Sequence, residues 1–287
     1  MNGELANELA RWSVWMRAAS QSPRTVKERL ALVDLFSRRT GCDPVDATWE
    51  LVATFLADDR FKPSTRRQYR AVLHQFYAFL VRDGIRPDNP VDMLARVKVP
   101  RAQPRPITAD ELEQAIAARR FYGKTYTKIL LGTYQGLRAF EIAKFDGREI
   151  RGDIVRVVGK GGVTAEIPLH PLVAEEANRY PCDGYWFPSP TNPGRPVTAK
   201  NVSKVIADAL RRAGVNATCH QLRHFYGTET LRNTGNVRVT QELMRHASIA
   251  STAIYTKVDE EQKRLAVARL PIPAAANRAT RPLRVVA

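Results

Sequence analysis

Thr218-Cys219-His220-Gln221-Leu222-Arg223-His224 is the stretch from which the rest of the chain can be read. A threonine followed three residues later by glutamine fits a capping box, so the spacing predicts a helix that starts at Thr218. His220 then lies in the first turn, and Arg223 stands one turn further along the same face. Both point at an anion. The unpaired amides and positive dipole end of such a helix favour a phosphate before any side chain is counted. Downstream run Leu243-Met244-Arg245-His246 and Ser251-Thr252-Ala253-Ile254-Tyr255, and far upstream Gly136-Leu137-Arg138-Ala139-Phe140-Glu141. Two arginines, two histidines and a tyrosine form an array suited to attack on a phosphodiester. A phenol is a poor nucleophile and a phosphodiester a poor electrophile, so donors and cations must surround the non-bridging oxygens as charge develops.

A metal reading of the same stretch is weaker. His220 and His224 stand four apart, as the ligands do in His-Glu-x-x-His zinc hydrolases, but Gln221 occupies the place of the glutamate general base. No metal is expected, and His224 reads as a helix-packing residue. Arg138 and Glu141, three apart, read as an ion pair across one helical turn, an ordinary surface feature when taken alone.

The formal net charge is +16 while 44% of the residues are hydrophobic. The positive charge therefore belongs to a folded protein, and nucleic acid is its natural partner. A membrane is not expected, because there is no long apolar run and the start Met1-Asn2-Gly3-Glu4 lacks the basic and apolar regions of a signal peptide. A cytoplasmic location follows. Cys42, Cys182 and Cys219 are odd in number, widely spaced and free of any Cys-x-x-Cys pair, so reduced thiols are the default.

Among the 287 residues the first third holds no catalytic candidate, and two domains are expected. Residues 1–95 read as helical. Ser22-Pro23 is an N-cap and first-turn pair with Val26, Leu30 and Val33 recurring at helical spacing behind it. From Ser64 to Asp83, residues Tyr69, Val72, Leu73, Phe76, Phe79 and Leu80 form one apolar stripe, closed by Gly84 and Pro87. Arg66, Arg67 and Arg70 share its N-terminal half and are read as phosphate contacts, a solvated charged face being the alternative. Residues 96–106 form a proline-rich basic linker whose Arg101 and Arg105 can track a nucleic-acid backbone. A second domain, 107–270, opens on a Thr108/Glu111 capping box and contains a β-hairpin around Gly159-Lys160-Gly161-Gly162, with helices resuming at Thr198. Residues 271–287, rich in Ala, Pro and Arg, read as a mobile tail.

These motifs together resemble the signature of the tyrosine recombinases, the phage-integrase family. The likeness spans nearly the whole chain, with specific motifs only in the second half. It implies a mainly α fold with a small β-sheet (α+β): a helical SAM-like core-binding domain and a catalytic domain closing on duplex DNA as a C-shaped clamp. In the family's Gly-Leu-Arg-x-x-Glu box the arginine clamps the scissile phosphate and the acid holds it, which assigns those roles to Arg138 and Glu141. Arg223 becomes the other half of the clamp, His220 a phosphate donor that assists proton transfer, and Tyr255 the nucleophile. Lys160 takes the role of the hairpin lysine that protonates the departing 5′ oxygen, with Lys144 and Lys200 as alternatives. His246 opens the last box, where Met244-Arg245-His246 departs from the usual Leu-Gly-His at a position that sets backbone shape.

The implied reaction conserves bond energy in a 3′-phosphotyrosyl ester, so no cofactor is needed. Strand exchange passes through a Holliday junction in a homotetramer on double-stranded DNA, assembled from a protein monomeric in solution. The helical domain begins almost at Met1, which leaves no room for the N-terminal arm-binding domain of larger integrases. The chain thus resembles a compact phage integrase, with a mycobacteriophage suggested by its Ala/Arg-rich composition. A Xer-type resolvase and a catalytically inactive DNA-binding regulator are the alternatives. Residues 259–270 read as a short helix with Leu265, Val267 and Leu270 available for packing, either on a neighbouring protomer or in cis.

Overall fold

The computed structural model describes residues 3–100, 105–118, 123–159 and 162–245. The chain divides into two compact units, Met1–Ala102 and Gln103–Ala287.

The first unit is helical, with α1 (Gly3–Ala18), α2 (Pro23–Thr40), α3 (Trp49–Ala57) and α4 (Pro63–Arg82). Helix α2 starts where its sequence predicts, the Ser22 hydroxyl accepting from the Thr25 amide at 3.1 Å with Pro23 in the first turn. It ends at Gly41, whose φ of +67° is the left-handed conformation a residue without Cβ adopts at least cost. The stripe on α4 faces inward: Val72, Leu73, Phe76, Phe79 and Leu80 are buried and Tyr69 is half-buried. Phe76 meets Trp12 of α1 edge-on with ring centroids 5.2 Å apart. Large buried side chains of this kind each contribute about 1.5–3 kcal/mol, so the stripe anchors the unit.

The arginines of this unit divide by task. Arg66 donates to the carbonyls of Ala57 and Asp58, and Arg70 to those of Val91 and Leu94. Arg86 bonds the carbonyls of Val45 and Ala47. Arg67, in contrast, is exposed. The three arginines at the start of α4 are therefore not one uniform charged face. Two of them fasten loops to the helix, because a carbonyl at a turn needs a donor that the turn's own backbone does not supply.

In the second unit α5 (Ala109–Ala117) leads to α6 (Lys124–Thr133) and α7 (Ala139–Ala143). An antiparallel sheet follows in the order β1 (Ile150–Arg151), β2 (Ile154–Val158), β3 (Thr164–Pro168). Helices α8 (Pro171–Ala177), α9 (Ala199–Arg212), α10 (Cys219–Thr234) and α11 (Val237–Leu243) complete it. Val155 pairs with Ile167 and Val157 with Ala165 across β2 and β3, and Val155, Val157 and Ile167 are the buried members. Helix α6 is buried from Tyr126 to Thr133 and sits inside the core, with α8, α9 and α10 packed around it.

The mainly α architecture with a small sheet is as the sequence predicts. The Thr108/Glu111 capping box forms, with both reciprocal bonds near 3 Å. Thr198 caps α9 through a 3.1 Å bond from the Asn201 amide. Strand β1 and helix α8 are additions to the sequence reading. A two-residue strand shows no alternation, and α8 is a two-turn helix entered through His170 and Pro171 rather than through a Ser/Thr/Asp/Asn cap. Among the described residues no helix is long and apolar enough to cross a membrane.

Candidate active site

The Arg138 segment is held from several directions. Helix α6 stops at Thr133, and Gly136 turns the chain at φ +58° so that α7 can begin after Arg138. A Cβ at Gly136 would lie 2.4 Å from the Tyr226 ring, so glycine is required here by space as well as by conformation. The buried Gln135 amide donates to the Pro168 carbonyl at 2.6 Å and accepts from the His170 amide at 3.1 Å, tying this turn to the end of β3. Glu141 closes the turn: one carboxylate oxygen accepts from the Arg138 amide at 2.7 Å, and the other meets the Arg138 guanidinium at 3.0 Å. Glu141 is buried while the Arg138 side chain remains one-third exposed. What reads in sequence as a surface pair is thus a buried carboxylate aiming a partly exposed cation.

Helix α10 supplies the second cluster. The Gln221 carboxamide oxygen accepts from the Thr218 amide at 3.0 Å and from its hydroxyl at 3.2 Å, which fixes the first turn. Its nitrogen donates to the Arg105 carbonyl at 3.0 Å, so the end of the proline-rich segment is stitched to the start of α10. The Arg105 side chain stays exposed beside Glu111. One turn along, Arg223 is 2% exposed and its two terminal nitrogens bond the carbonyls of Gly136 and Met244. Those two carbonyls set the plane of the guanidinium and join α10 to the Arg138 turn.

His220 and His224 meet with ring centroids 4.2 Å apart. Surrounding protein mass, then the charges of Arg223 and Arg138, lower the pKa of His220. His224 is buried and is pushed down to about 4 by burial, His220 and Arg223. Both rings are therefore neutral near pH 7. Arg223 stands one turn beyond His220 on α10 and bonds the carbonyl of Gly136, two residues before Arg138, so the three share one neighbourhood although 82 residues separate Arg138 from His220 in sequence (220 − 138). Burial pushes the Cys219 thiol up to about 12, so this cysteine is inert packing.

The β2–β3 hairpin borders the same region. The Gly159 amide bonds the Val163 carbonyl at 2.8 Å, and Gly162 turns with φ +80°. A cleft of about 550 Å³ is lined by Glu141, Lys144, Gly159 and Gly162 among others. Lys160 itself lies outside the described residues, as do Arg101, His246, Tyr255, the 259–270 segment and the tail. Lys144 is exposed in that cleft, and Lys200 is exposed in the first turn of α9.

One participant escaped the sequence reading. Arg245 has φ +53°, its side chain is 7% exposed, and it meets Glu141 at 2.8 Å. The signal was visible as an arginine where the family usually has glycine, yet nothing in the spacing says that its side chain turns inward.

A tyrosine recombinase XerD of Caulobacter vibrioides is 30% identical over 251 residues, covering 79% of this chain and 82% of that protein. The integrase of mycobacterium phage Brujita is 38% identical, with 92% of each chain covered and a TM-score of 0.50. A lambda integrase tetramer bound to a Holliday junction shares the fold at a TM-score of 0.72 and 18% identity, over 91% of this chain and 82% of that one. The model of the phage integrase family matches residues 105–262, more than half of the sequence and the part that holds every element of this cluster. The chain belongs to the phage integrase family and is a tyrosine recombinase.

Proposed function

We propose that this recombinase is a phage integrase, in which Tyr255 attacks a DNA phosphodiester held by Arg138 and Arg223. The observation that supports it most is the bond by which Arg223 of α10 reaches the Gly136 carbonyl in the Arg138 turn, with His220 one turn before Arg223 on the same helix. The phenol oxygen bonds to phosphorus as the bond from phosphorus to the 5′ oxygen breaks. The two guanidiniums take up charge on the non-bridging oxygens. Neutral His220 hydrogen-bonds the phosphate and assists proton transfer from the phenol, His246 adds a second donor to the phosphate, and Lys160 delivers a proton to the leaving 5′ oxygen. Attack by the partner duplex's 5′ hydroxyl on the phosphotyrosyl ester reverses these steps and releases the tyrosine, so the chemistry calls for no cofactor. Exposed Arg67 and Arg105, together with Arg101, bind the flanking backbone, and the protein works in the cytoplasm as a homotetramer on DNA, as the lambda enzyme does at a Holliday junction.

The integrase role is favoured over a Xer-type resolvase by the 38% identity with the Brujita enzyme across 92% of both chains, against 30% for the XerD relative. The chemical test uses a suicide duplex nicked at the attachment site adjoining the coding segment. Tyr255→Phe is expected to bind this duplex as wild type does and to form no covalent adduct. Arg138→Ala and Arg223→Ala are each expected to slow adduct formation about a hundredfold or more with far smaller losses in binding. An adduct with the Phe variant removes Tyr255 from its role, and equal losses in binding and cleavage reduce the arginines to ordinary phosphate contacts. Recombination of two unlike sites supports an integrase, whereas activity confined to two identical sites supports a resolvase.

A further inference from the structure

We propose that Arg245 is a positioning residue for strand cleavage, holding the Glu141 carboxylate and the Gly136 carbonyl on which the Arg138 and Arg223 guanidiniums are oriented. The inference rests on the active-site reading above and adds a third arginine behind the phosphate cradle.

The backbone supplies the first reason. Among the described residues only Ser20 and Arg245 are non-glycine residues at positive φ. A side chain in that conformation costs on the order of 1 kcal/mol that glycine avoids. Glycine would give the turn its shape more cheaply, so the arginine must be retained for what its side chain does.

That side chain supplies the second reason. It is 7% exposed, and one terminal nitrogen donates both to a Glu141 carboxylate oxygen at 2.8 Å and to the Gly136 carbonyl at 3.1 Å. The other terminal nitrogen donates to the Leu243 carbonyl at 3.2 Å. The first two targets already serve the cradle. Glu141, with 1% of its side chain exposed, gives its other oxygen to Arg138, and the Gly136 carbonyl also receives Arg223. Arg245 is thus a buried strut between the two clamp arginines, fastened to the partner of each. A buried carboxylate deprived of one of two cations must reorient, and Arg138 turns with it. The strut also leaves a net positive charge on the Arg138–Glu141–Arg245 group, of the sign that stabilises a phosphorane-like transition state.

The test compares full-length Arg245→Gly, Arg245→Lys and Glu141→Gln on the nicked suicide duplex, measuring affinity, rate of covalent adduct formation and thermal midpoint. Arg245→Gly relieves the backbone and removes the strut. It is expected to bind the duplex within about twofold of wild type while cleavage falls between about ten- and a hundredfold, the scale of a misaligned catalytic group. Arg245→Lys, which keeps the charge and one donor direction, is expected to lie between the two. In the double variant Arg245→Gly/Glu141→Gln the losses should not multiply, since both act on one contact. Wild-type cleavage by Arg245→Gly overturns the proposal, as do multiplicative losses in the double variant. Should the Gly variant fail to fold, wild-type cleavage by Arg245→Lys overturns it instead. Arg138→Ala run in parallel separates the two levels. If it cleaves normally, the active-site reading itself has failed. If it is inactive while Arg245→Gly is unimpaired, Arg245 alone has been misassigned.

Discussion

His220 and His224 lie one helical turn apart, yet their surroundings give them different work. His224 is buried and its pKa is pushed to about 4, first by burial and then by His220 and Arg223. An unfolded chain takes up a proton near the ordinary value of 6.5, so between pH 6.5 and 4 the unfolded state binds more protons than the native one. Stability from this group is complete above pH 6.5 and is lost as the pH falls toward 4. His220 is depressed too and adds in the same direction. The thermal midpoint is therefore expected to fall by at least about 3 °C across this window, the change that roughly 1 kcal/mol produces in a domain of this size. His224→Leu should flatten the dependence, as a series of melting curves would show; an unchanged slope means that other groups carry the acid sensitivity. His220, beside two arginines and with an exposed edge, is the one of the pair placed to reach a phosphate.

At the scale of elements, α10 depends on a glutamine that performs two tasks. Gln221 fixes the first turn through Thr218 and fastens the chain at Arg105 through its amide nitrogen. Gln221→Ala is expected to cost about 1 kcal/mol, typical of a lost helix cap, and to lower the thermal midpoint by a few degrees. It should also speed trypsin cleavage after Arg101, since Arg105 itself is followed by Pro106 and resists the protease, and gel analysis of a timed digest would detect the change; unchanged digestion means that the stitch does not restrain this segment. The capping half of that role was legible, because Thr-x-x-Gln is a local pattern. The half that reaches back 116 residues was not. The same division runs through the fold. The α2 and α4 stripes, the caps of α5, α9 and α10 and the β2–β3 hairpin follow from local spacing. Strand β1 is too short to show a period, and Arg66 and Arg70 look like any helix-surface cations until the carbonyls of distant turns are seen beside them. Arg138, Glu141, His220 and Arg223 were readable as a group because a family motif names them. Arg245 was readable only as a departure, since a sequence shows where glycine is missing but not where the replacing side chain goes.

At the scale of the whole molecule, assembly on DNA is expected to draw on the chain beyond the described residues. Residues 259–270 carry Leu265, Val267 and Leu270 in a pattern suited to packing on a neighbour. Removing residues from Asp259 onward is expected to leave a folded protein that binds a half-site but forms few synaptic complexes and recombines poorly. Native gels with half-site and full-site DNA provide the measurement, and normal synapsis by the truncated protein means that the segment packs in cis. The long reach of the catalytic contacts has a consequence in time. The Gly136 carbonyl meets Arg223 across 87 residues and Arg245 across 109. During synthesis the Arg138 turn emerges well before the groups that orient it, and those complete the cradle only shortly before Tyr255 itself leaves the ribosome. A translation product interrupted before Arg245 therefore lacks both the strut and the proposed nucleophile, and is expected to cut no DNA.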